Sequence, residues 1–158
     1  MVVALTTISC SKDEPITEEQ STDLSIDLSL ANKTDWQMAQ EILTVVNEHR
    51  ASINLPALRL DRRYASAYAV AHTDYMISND QISHDNFSER SSGLRSQGAS
   101  KVGETVAYGY QSADALVNAW LNSPSHKKVL EGNYTHAGFG VVPNEDGNLY
   151  FTQLFYQK

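Results

Sequence analysis

The sequence has one cysteine in 158 residues, so no disulfide can form within the chain and its stability must come from packing. It also lacks an apolar run of about 18 residues, the length that a membrane-spanning helix needs. Only 12 Lys and Arg stand against 19 Asp and Glu, for a net charge of −7. Because nucleic acid binding requires clustered positive charge, we expect no nucleic acid partner. The length and 41% hydrophobic content indicate one globular domain plus a tail, and we expect a monomer.

The single cysteine, Cys10, ends an apolar run and is followed at once by charged residues, in the order VVALTTISC then SKDEP. This order is typical of a bacterial lipoprotein signal, in which residues 1–10 are a signal remnant and the cysteine carries the lipid. No Lys or Arg precedes the short run, so we expect a truncated start or a misplaced initiator methionine. A lipid anchor would hold the protein outside the cytoplasm at the membrane surface of the cell envelope. The alternative is a free thiol in a disordered tail.

Residues 11–34 are rich in Ser, Thr, Asp and Glu, with six acidic and two basic side chains and no sustained helical or strand period. This composition predicts an acidic flexible tether that leads to a domain over 35–158. Ile26, Leu28 and Leu30 alternate as in a strand, but three residues are weak evidence. We therefore expect the tether not to dock on the domain.

Helix signals begin directly after the tether. Thr34 and Gln37 have the spacing of a capping box, which predicts a helix over about 35–53. Asp61 has the position of a cap for a second helix over about 62–78, and Ser112 for one that ends at Trp120. Residues 88–96 are predicted to form a further short helix.

The C-terminal half also carries strand signals. GETVAYGY has the composition of a buried strand, and HAGFGVV with NLYFTQLFYQ predicts an antiparallel hairpin with Gly147 near its turn. Ser123 and Pro124 mark a helix start, which puts His126 in the first turn of a short helix. Helices and strands joined in this way favour an α+β fold, a three-layer α-β-α sandwich.

Three residues with catalytic or metal-binding chemistry stand in separate short motifs. His84 lies in ISHDNF, Glu104 in KVGETVAYG and His126 in NSPSHKKVL. Each lies at a junction between predicted elements, where functional sites are commonly built. Imidazole suits Zn²⁺, and a carboxylate can complete the set or orient a ring. The alternative is that the histidines bond loop carbonyls and Glu104 accepts from one of them.

The order of these motifs, together with the two N-terminal helices and the C-terminal hairpin, resembles the bacterial branch of the CAP superfamily. These are SCP-like extracellular domains related to cysteine-rich secretory proteins, antigen 5 and pathogenesis-related proteins. The resemblance runs from about Asp35 to Lys158 and implies a three-layer sandwich in which His84, Glu104 and His126 line one cleft. Animal and plant members carry a second glutamate at the position that is Ser123 here.

These residues support two functions. The first is an extracytoplasmic binding module whose His-Glu-His cleft holds a divalent metal such as zinc, a small lipid or a peptide, with His84, Glu104 and His126 as ligands. The alternative is a metal-dependent or Glu–His hydrolase of envelope peptide or peptidoglycan, with the same three residues as catalytic candidates. Absence of the second carboxylate and of a nucleophile favours the binding module.

Other conspicuous residues have structural interpretations. We expect His72 to be a hydrogen-bonded core histidine and Arg50 to bond backbone carbonyls or a carboxylate. Tyr108, Tyr110 and Trp120 are expected in the core, with a groove as the alternative.

Overall fold

The structure is a computed structural model that describes residues 25–158. Over these residues a 3₁₀ helix at Leu28–Lys33 precedes five α-helices and four strands. Their bounds in chain order are α1 Trp36–Ser52, β1 Arg59–Leu60, α2 Tyr64–Ser78, α3 Phe87–Ser96, β2 Lys101–Tyr108, α4 Ala113–Leu121, α5 Pro124–Leu130, β3 His136–Pro143 and β4 Leu149–Gln157. None of the helices in this part of the chain is long and apolar enough to cross a bilayer.

The four strands form one sheet in the order β1-β3-β4-β2. The short β1 runs parallel to β3, and the two other pairings are antiparallel. The β3–β4 hairpin is confirmed, with Gly147 at a φ of 82° in its turn, a conformation that favours glycine. The predicted strand GETVAYGY is confirmed as β2, which pairs with β4 so that Glu104 lies opposite Leu154.

Helices cover both faces of the sheet. One face packs against α1, α4 and α5 in a core that includes Phe139, Phe151 and Phe155. The other face packs against α2 and α3, and Leu154 contributes to this second core. Because side chains alternate along a strand, Glu104 and Val106 share the α2–α3 side of β2. The predicted α+β three-layer sandwich is therefore confirmed.

The contact between α2 and β3 is unusually close because two glycines of β3 face the helix. A Cβ atom at Gly138 would lie 2.4 Å from the Cβ of Ala65, and one at Gly140 would lie 2.5 Å from the backbone of Ala69. Any side chain at either position would push the helix away from the sheet. The glycines thus fix the position of α2 in the layer that carries the candidate site.

The N-terminus of α1 differs from its prediction. Asp35 is the cap, and its carboxylate accepts a hydrogen bond from Met38 N at 3.0 Å. Thr34 instead turns toward the sheet and donates its hydroxyl to Phe139 O at 2.8 Å. The predicted capping box of Thr34 and Gln37 is wrong, because a tertiary hydrogen bond takes the threonine hydroxyl.

The expectation that the tether does not dock on the domain is wrong for its last residues. Leu28–Lys33 forms the 3₁₀ helix, capped by Asp27, and packs against α2 and β3. Ala31 is 3% exposed, and Lys33 pairs with Asp74 at 2.7 Å. Leu28 and Leu30 are half-buried, so this stretch docks as a helix although no docking was expected. Residues 1–24, including the predicted signal remnant, Cys10 and most of the tether, lie outside the described residues.

Three further helix starts are close to their predictions. Ser112 caps α4 by accepting from Ala115 N, and Pro124 begins α5 after Ser123, both as predicted. The second helix begins at Tyr64 rather than at residue 62. Asp61 nevertheless serves its N-terminus, because the carboxylate accepts from the N–H groups of Arg63 and Ala65.

Arg50, on α1, is 1% exposed and donates only to backbone carbonyls. Its guanidinium bonds four of them, from Pro56, Leu130, Gly132 and Tyr134, at 2.9, 2.8, 2.9 and 3.4 Å. Burial lowers the pKa of this arginine from its usual value. The interpretation of Arg50 as structural is confirmed, and the side chain joins α1 to the segment that links α5 to β3.

Candidate functional site

The centre of the site is a buried ion pair between β2 and α3. Arg90 Nε donates to Glu104 Oε2 at 2.6 Å and Arg90 Nη2 to Oε1 at 2.8 Å, so the guanidinium holds both carboxylate oxygens. The Glu104 side chain is 2% exposed and that of Arg90 is 7% exposed. A third bond, from Arg90 Nη1 to the Asp85 carbonyl, fixes the arginine to the preceding loop. This forked geometry is the strongest form of an arginine–carboxylate pair.

His84 completes this arrangement from the loop between α2 and α3. Its Nδ1 lies 2.8 Å from Glu104 Oε1. Because an ionised carboxylate can only accept, Nδ1 carries the proton, and in the neutral ring Nε2 keeps its lone pair. The imidazole is 53% exposed above a nearly inaccessible glutamate. Glu104 therefore sets the tautomer of a histidine whose other nitrogen is open to a ligand.

The charge state of Glu104 follows from its partners. Burial alone would raise the pKa of this carboxyl group, but hydrogen bonds from His84 and Arg90 and the charge of Arg90 outweigh it. The net pKa lies below the usual value for glutamate. The group is therefore an anion at neutral pH and already holds its cation.

His72 lies behind this pair and anchors the loop that carries His84. The ring is 3% exposed, and its Nε2 donates to Ser83 O at 2.7 Å. Burial is the main cause that lowers the pKa of His72, and the charge of Arg90 lowers it further. The prediction of a hydrogen-bonded core histidine is confirmed, and its role is to fix the residue next to His84.

His126 occupies the first turn of α5, as predicted. Its Nδ1 lies 2.9 Å from Ser123 Oγ, the position where animal and plant members of the expected family carry glutamate. Burial, and then the charge of His84, lower the pKa of His126. His126 bonds to Ser123 and not to Glu104.

A cavity of about 600 Å³ opens beside His126, between the end of α2, β2 and α4. Its wall includes the aromatic side chains of Tyr108, Tyr110 and Trp120. Trp120 is 3% exposed and its Nε1–H donates to Val106 O, so it belongs to the hydrophobic core and also lines the cavity. We call this space the aromatic cavity. His84 and Glu104 are not part of its lining.

The donor set suits a divalent metal only in part. Across residues 25–158 no group of three or more His, Cys, Asp or Glu side chains is placed to hold an ion. Glu104 does not suit direct ligation, because its buried side chain is already paired with Arg90 and bonded to His84. The imidazoles of His84 and His126 remain suitable donors, with Glu104 as an orienting partner.

Sequence reasoning named His84 and Glu104, which the structure brings together, but missed Arg90. The sequence does carry a signal for Arg90. Gly93 and Leu94 follow it by three and four residues, which places all three on one face of a helix, and that face is buried. The other histidines of the described chain lie apart from the site: His49 pairs with Glu131 and His136 stacks on Tyr156.

The family model for CAP, the cysteine-rich secretory protein family, matches residues 43–155. An outer surface protein of Borrelia burgdorferi is 26% identical, with a TM-score of 0.69, over 77% of this chain and 93% of that one. An extracellular protein of Bacillus anthracis that contains an SCP domain is 29% identical, with a TM-score of 0.61, over 79% and 44%. A cysteine-rich secretory protein of Staphylococcus aureus, 19% identical with a TM-score of 0.65 over 80% of this chain and 40% of that one, shares the fold.

Two proteins of Bacillus subtilis are also similar. The uncharacterized membrane protein YlbC is 32% identical over 126 residues, and the uncharacterized protein YkwD is 29% identical over 124 residues. Each match covers 75% of this chain, but 34% of YlbC and 47% of YkwD. The chain thus spans about a third to a half of the length of these relatives.

Proposed function

Because this chain belongs to the cysteine-rich secretory protein family, we propose that it is an extracytoplasmic binding module whose cleft holds a small lipid or peptide without cleaving it. The extracellular and outer-surface descriptions of two similar structures support a location outside the cytoplasm. A lipid on Cys10 would anchor the module at the membrane surface. Membrane fractionation of wild type and Cys10→Ala, both with a complete signal sequence, tests the anchor, and equal solubility of the two would contradict it.

The observation that carries the proposal is the forked pair of Arg90 and Glu104. A general base works best with a pKa near the pH of the reaction and a free lone pair aimed at a substrate or water. Glu104 has neither, because its pKa is lowered, its oxygens accept three bonds from His84 and Arg90, and its side chain is only 2% exposed. The position of the second family glutamate is Ser123, which bonds His126. Binding is thus better supported than hydrolysis.

The aromatic cavity supplies what a binding module needs. It has the size of a small-molecule site, and its aromatic wall suits the apolar part of a ligand. Ile82 and Tyr108 at its lining are 47% and 43% exposed, which is high for large hydrophobic side chains. A bound lipid or peptide would remove this apolar surface from water.

A divalent metal, zinc by preference, is part of the proposal. Nε2 of His84 and Nε2 of His126 would be the protein ligands, and Glu104 would keep the His84 tautomer that ligation requires. With two protein ligands we expect weak to moderate affinity that falls below about pH 6, since both rings must be neutral. When bound, the metal would supply a positive centre for a polar group of the ligand.

Calorimetric titration with zinc tests the metal site. We expect the double variant His84→Ala with His126→Ala to lose most of the affinity, and His49→Ala, which removes a histidine of another site, to retain it. Unchanged affinity in the double variant would exclude the site. To test against hydrolysis, zinc-loaded protein is incubated with peptidoglycan and with envelope peptides. Turnover that Glu104→Gln abolishes would establish the hydrolase instead.

A further inference from the structure

The lining of the aromatic cavity combines aromatic side chains with one acidic side chain. Tyr108 and Tyr150 are in contact, with ring centroids 4.5 Å apart and planes tilted by 51°. Tyr110 and Trp120 contribute two more rings to the same lining. Four electron-rich rings around one space are a typical environment for an organic cation.

The charges in this lining have one sign. Among the described residues that line the cavity, one is acidic, Asp80, and none is Lys or Arg. The whole chain carries a net charge of −7, so the long-range field has the same sign. In the metal-free protein, a cationic group is therefore complementary to this space.

Asp80 is held in position before any ligand binds. Its backbone adopts a left-handed φ of 48° just after α2, with its N–H bonded to Ile77 O. One carboxylate oxygen accepts from Tyr150 Oη at 3.0 Å, and Tyr150 itself is 2% exposed. The carboxylate thus has a fixed place beside the ring pair of Tyr108 and Tyr150.

We propose that the aromatic cavity is a subsite for a quaternary ammonium group, such as the trimethylammonium group of choline. This inference rests on the proposed binding function and specifies the class of its ligand. The rings attract the diffuse positive charge, and Asp80 neutralises it without needing a hydrogen bond from the ligand.

The same composition disfavours a primary ammonium group. Such a group carries three N–H donors that are strongly hydrated, and it loses those bonds unless the site offers acceptors in their place. Here rings outnumber carboxylates, and Tyr150 already uses one oxygen of Asp80. A trimethylammonium group has no N–H to satisfy, so its desolvation costs less.

The test is an NMR titration of the folded chain in the presence of a chelator, so that metal at the histidines does not interfere. The probes are choline, its neutral carbon isostere with a tert-butyl group, n-butylammonium, and a short-chain phosphatidylcholine. We expect saturable shifts at the Trp120 indole N–H and the Tyr108 amide with choline, at least about threefold tighter than with the isostere or with the primary amine. Tighter binding of the lipid than of choline would support a lipid head group as the source, and equal binding would support free choline.

Two variants locate the effect. Asp80→Asn removes the charge but keeps the shape, the hydrogen bond from Tyr150 and tolerance of the left-handed backbone. We expect it to weaken choline binding at least about threefold and to leave the isostere unaffected. Glu48→Gln, which removes one charge from α1 outside the cavity lining, should change neither.

The outcomes separate this inference from the proposed function. Equal binding of choline and the isostere, or choline binding unchanged in Asp80→Asn, would overturn the cation subsite while leaving an apolar binding cleft. Stronger binding of the primary amine would overturn the preference for a quaternary group. Absence of shifts with every probe would count against both the subsite and the proposed cleft.

Discussion

Arg50 and Arg90 are both almost fully buried, but they lie in regions with different partners. Arg50 joins α1 to the α5–β3 segment through carbonyl oxygens, and no carboxylate within residues 25–158 pairs with it. Arg90 joins α3 to β2 through a carboxylate that also holds the exposed ring of His84. Arg50 bonds only backbone carbonyls, whereas Arg90 bonds a buried carboxylate that in turn bonds a solvent-exposed imidazole.

The difference shows how to separate stability from function among buried charges. The partners of Arg50 are neutral backbone carbonyls. Because this fold buries them, they need hydrogen-bond donors whatever the protein's function. The partner of Arg90 is the Glu104 carboxylate, which also bonds Nδ1 of His84. The other ring nitrogen of His84, Nε2, is available to a ligand. Loss of Arg50 should therefore affect folding alone, and loss of Arg90 should affect both folding and the site.

The largest effect is expected for Arg50→Met. This change leaves several buried carbonyls without donors, and we expect the free energy of unfolding to fall by about 4 kcal/mol. Urea denaturation measures the loss. The zinc affinity of the molecules that remain folded should match wild type, and a changed affinity would show that the two regions are coupled.

The next effect is expected for Arg90→Met, which leaves the Glu104 carboxylate buried without its cation. We expect a loss of about 3 kcal/mol at neutral pH. The double variant Arg90→Met with Glu104→Gln should recover part of this loss, because it no longer buries an uncompensated ion. If the double variant is less stable than the single one, the pair contributes mainly through packing.

The loss in Arg90→Met should also depend on pH. In wild type the pKa of Glu104 is lowered, so its contribution to stability is present above the unfolded pKa of about 4.3 and disappears as pH falls through the lower folded value. Without Arg90, burial dominates and raises that pKa, so the deficit should be largest near pH 7 and shrink toward about pH 4. Urea unfolding at several pH values measures this trend. A deficit that is constant with pH would contradict it.

The smallest effect is expected for Glu104→Gln, measured as zinc affinity. A glutamine amide that faces His84 would donate to Nδ1, move the ring proton to Nε2 and remove the ligand lone pair. We expect affinity to fall by about 10- to 100-fold. Glu131→Gln is the matched control, because Glu131 also lies 2.8 Å from a histidine, His49, away from the site. Equal losses in both variants would show that the effect comes from charge alone.

Local signals were sufficient for much of the fold. The Ser112 cap, the start of α5 at Pro124 and the hairpin turn at Gly147 each depend on a few neighbouring residues, so the sequence predicts them well. Thr34 was misjudged because its hydroxyl bonds Phe139 O, far along the chain. Its local pattern could not show that a strand would compete for the same hydroxyl.

The docked 3₁₀ helix was missed for a related reason. Leu28, Leu30 and Ala31 are too few for any period, and their burial depends on α2 and β3. Within the site, His84 bonds Glu104, whereas His126 bonds Ser123, so the shared cleft of all three residues that the family resemblance implied stays a prediction. Residue type alone does not tell the buried Arg90 from the exposed Arg95. Only the position of Arg90 on the same helix face as Leu94 distinguishes the two.

The 3₁₀ helix also has a mechanical consequence. Tension applied to the chain upstream of residue 25 would first load the Lys33–Asp74 pair, then the bond from Thr34 to Phe139 O and the bond from Asp35 N to Val141 O at 2.9 Å. Two of these three attachments end on β3, in the interior of the sheet. A force on the N-terminal chain would therefore be carried by the sheet before it is carried by α1.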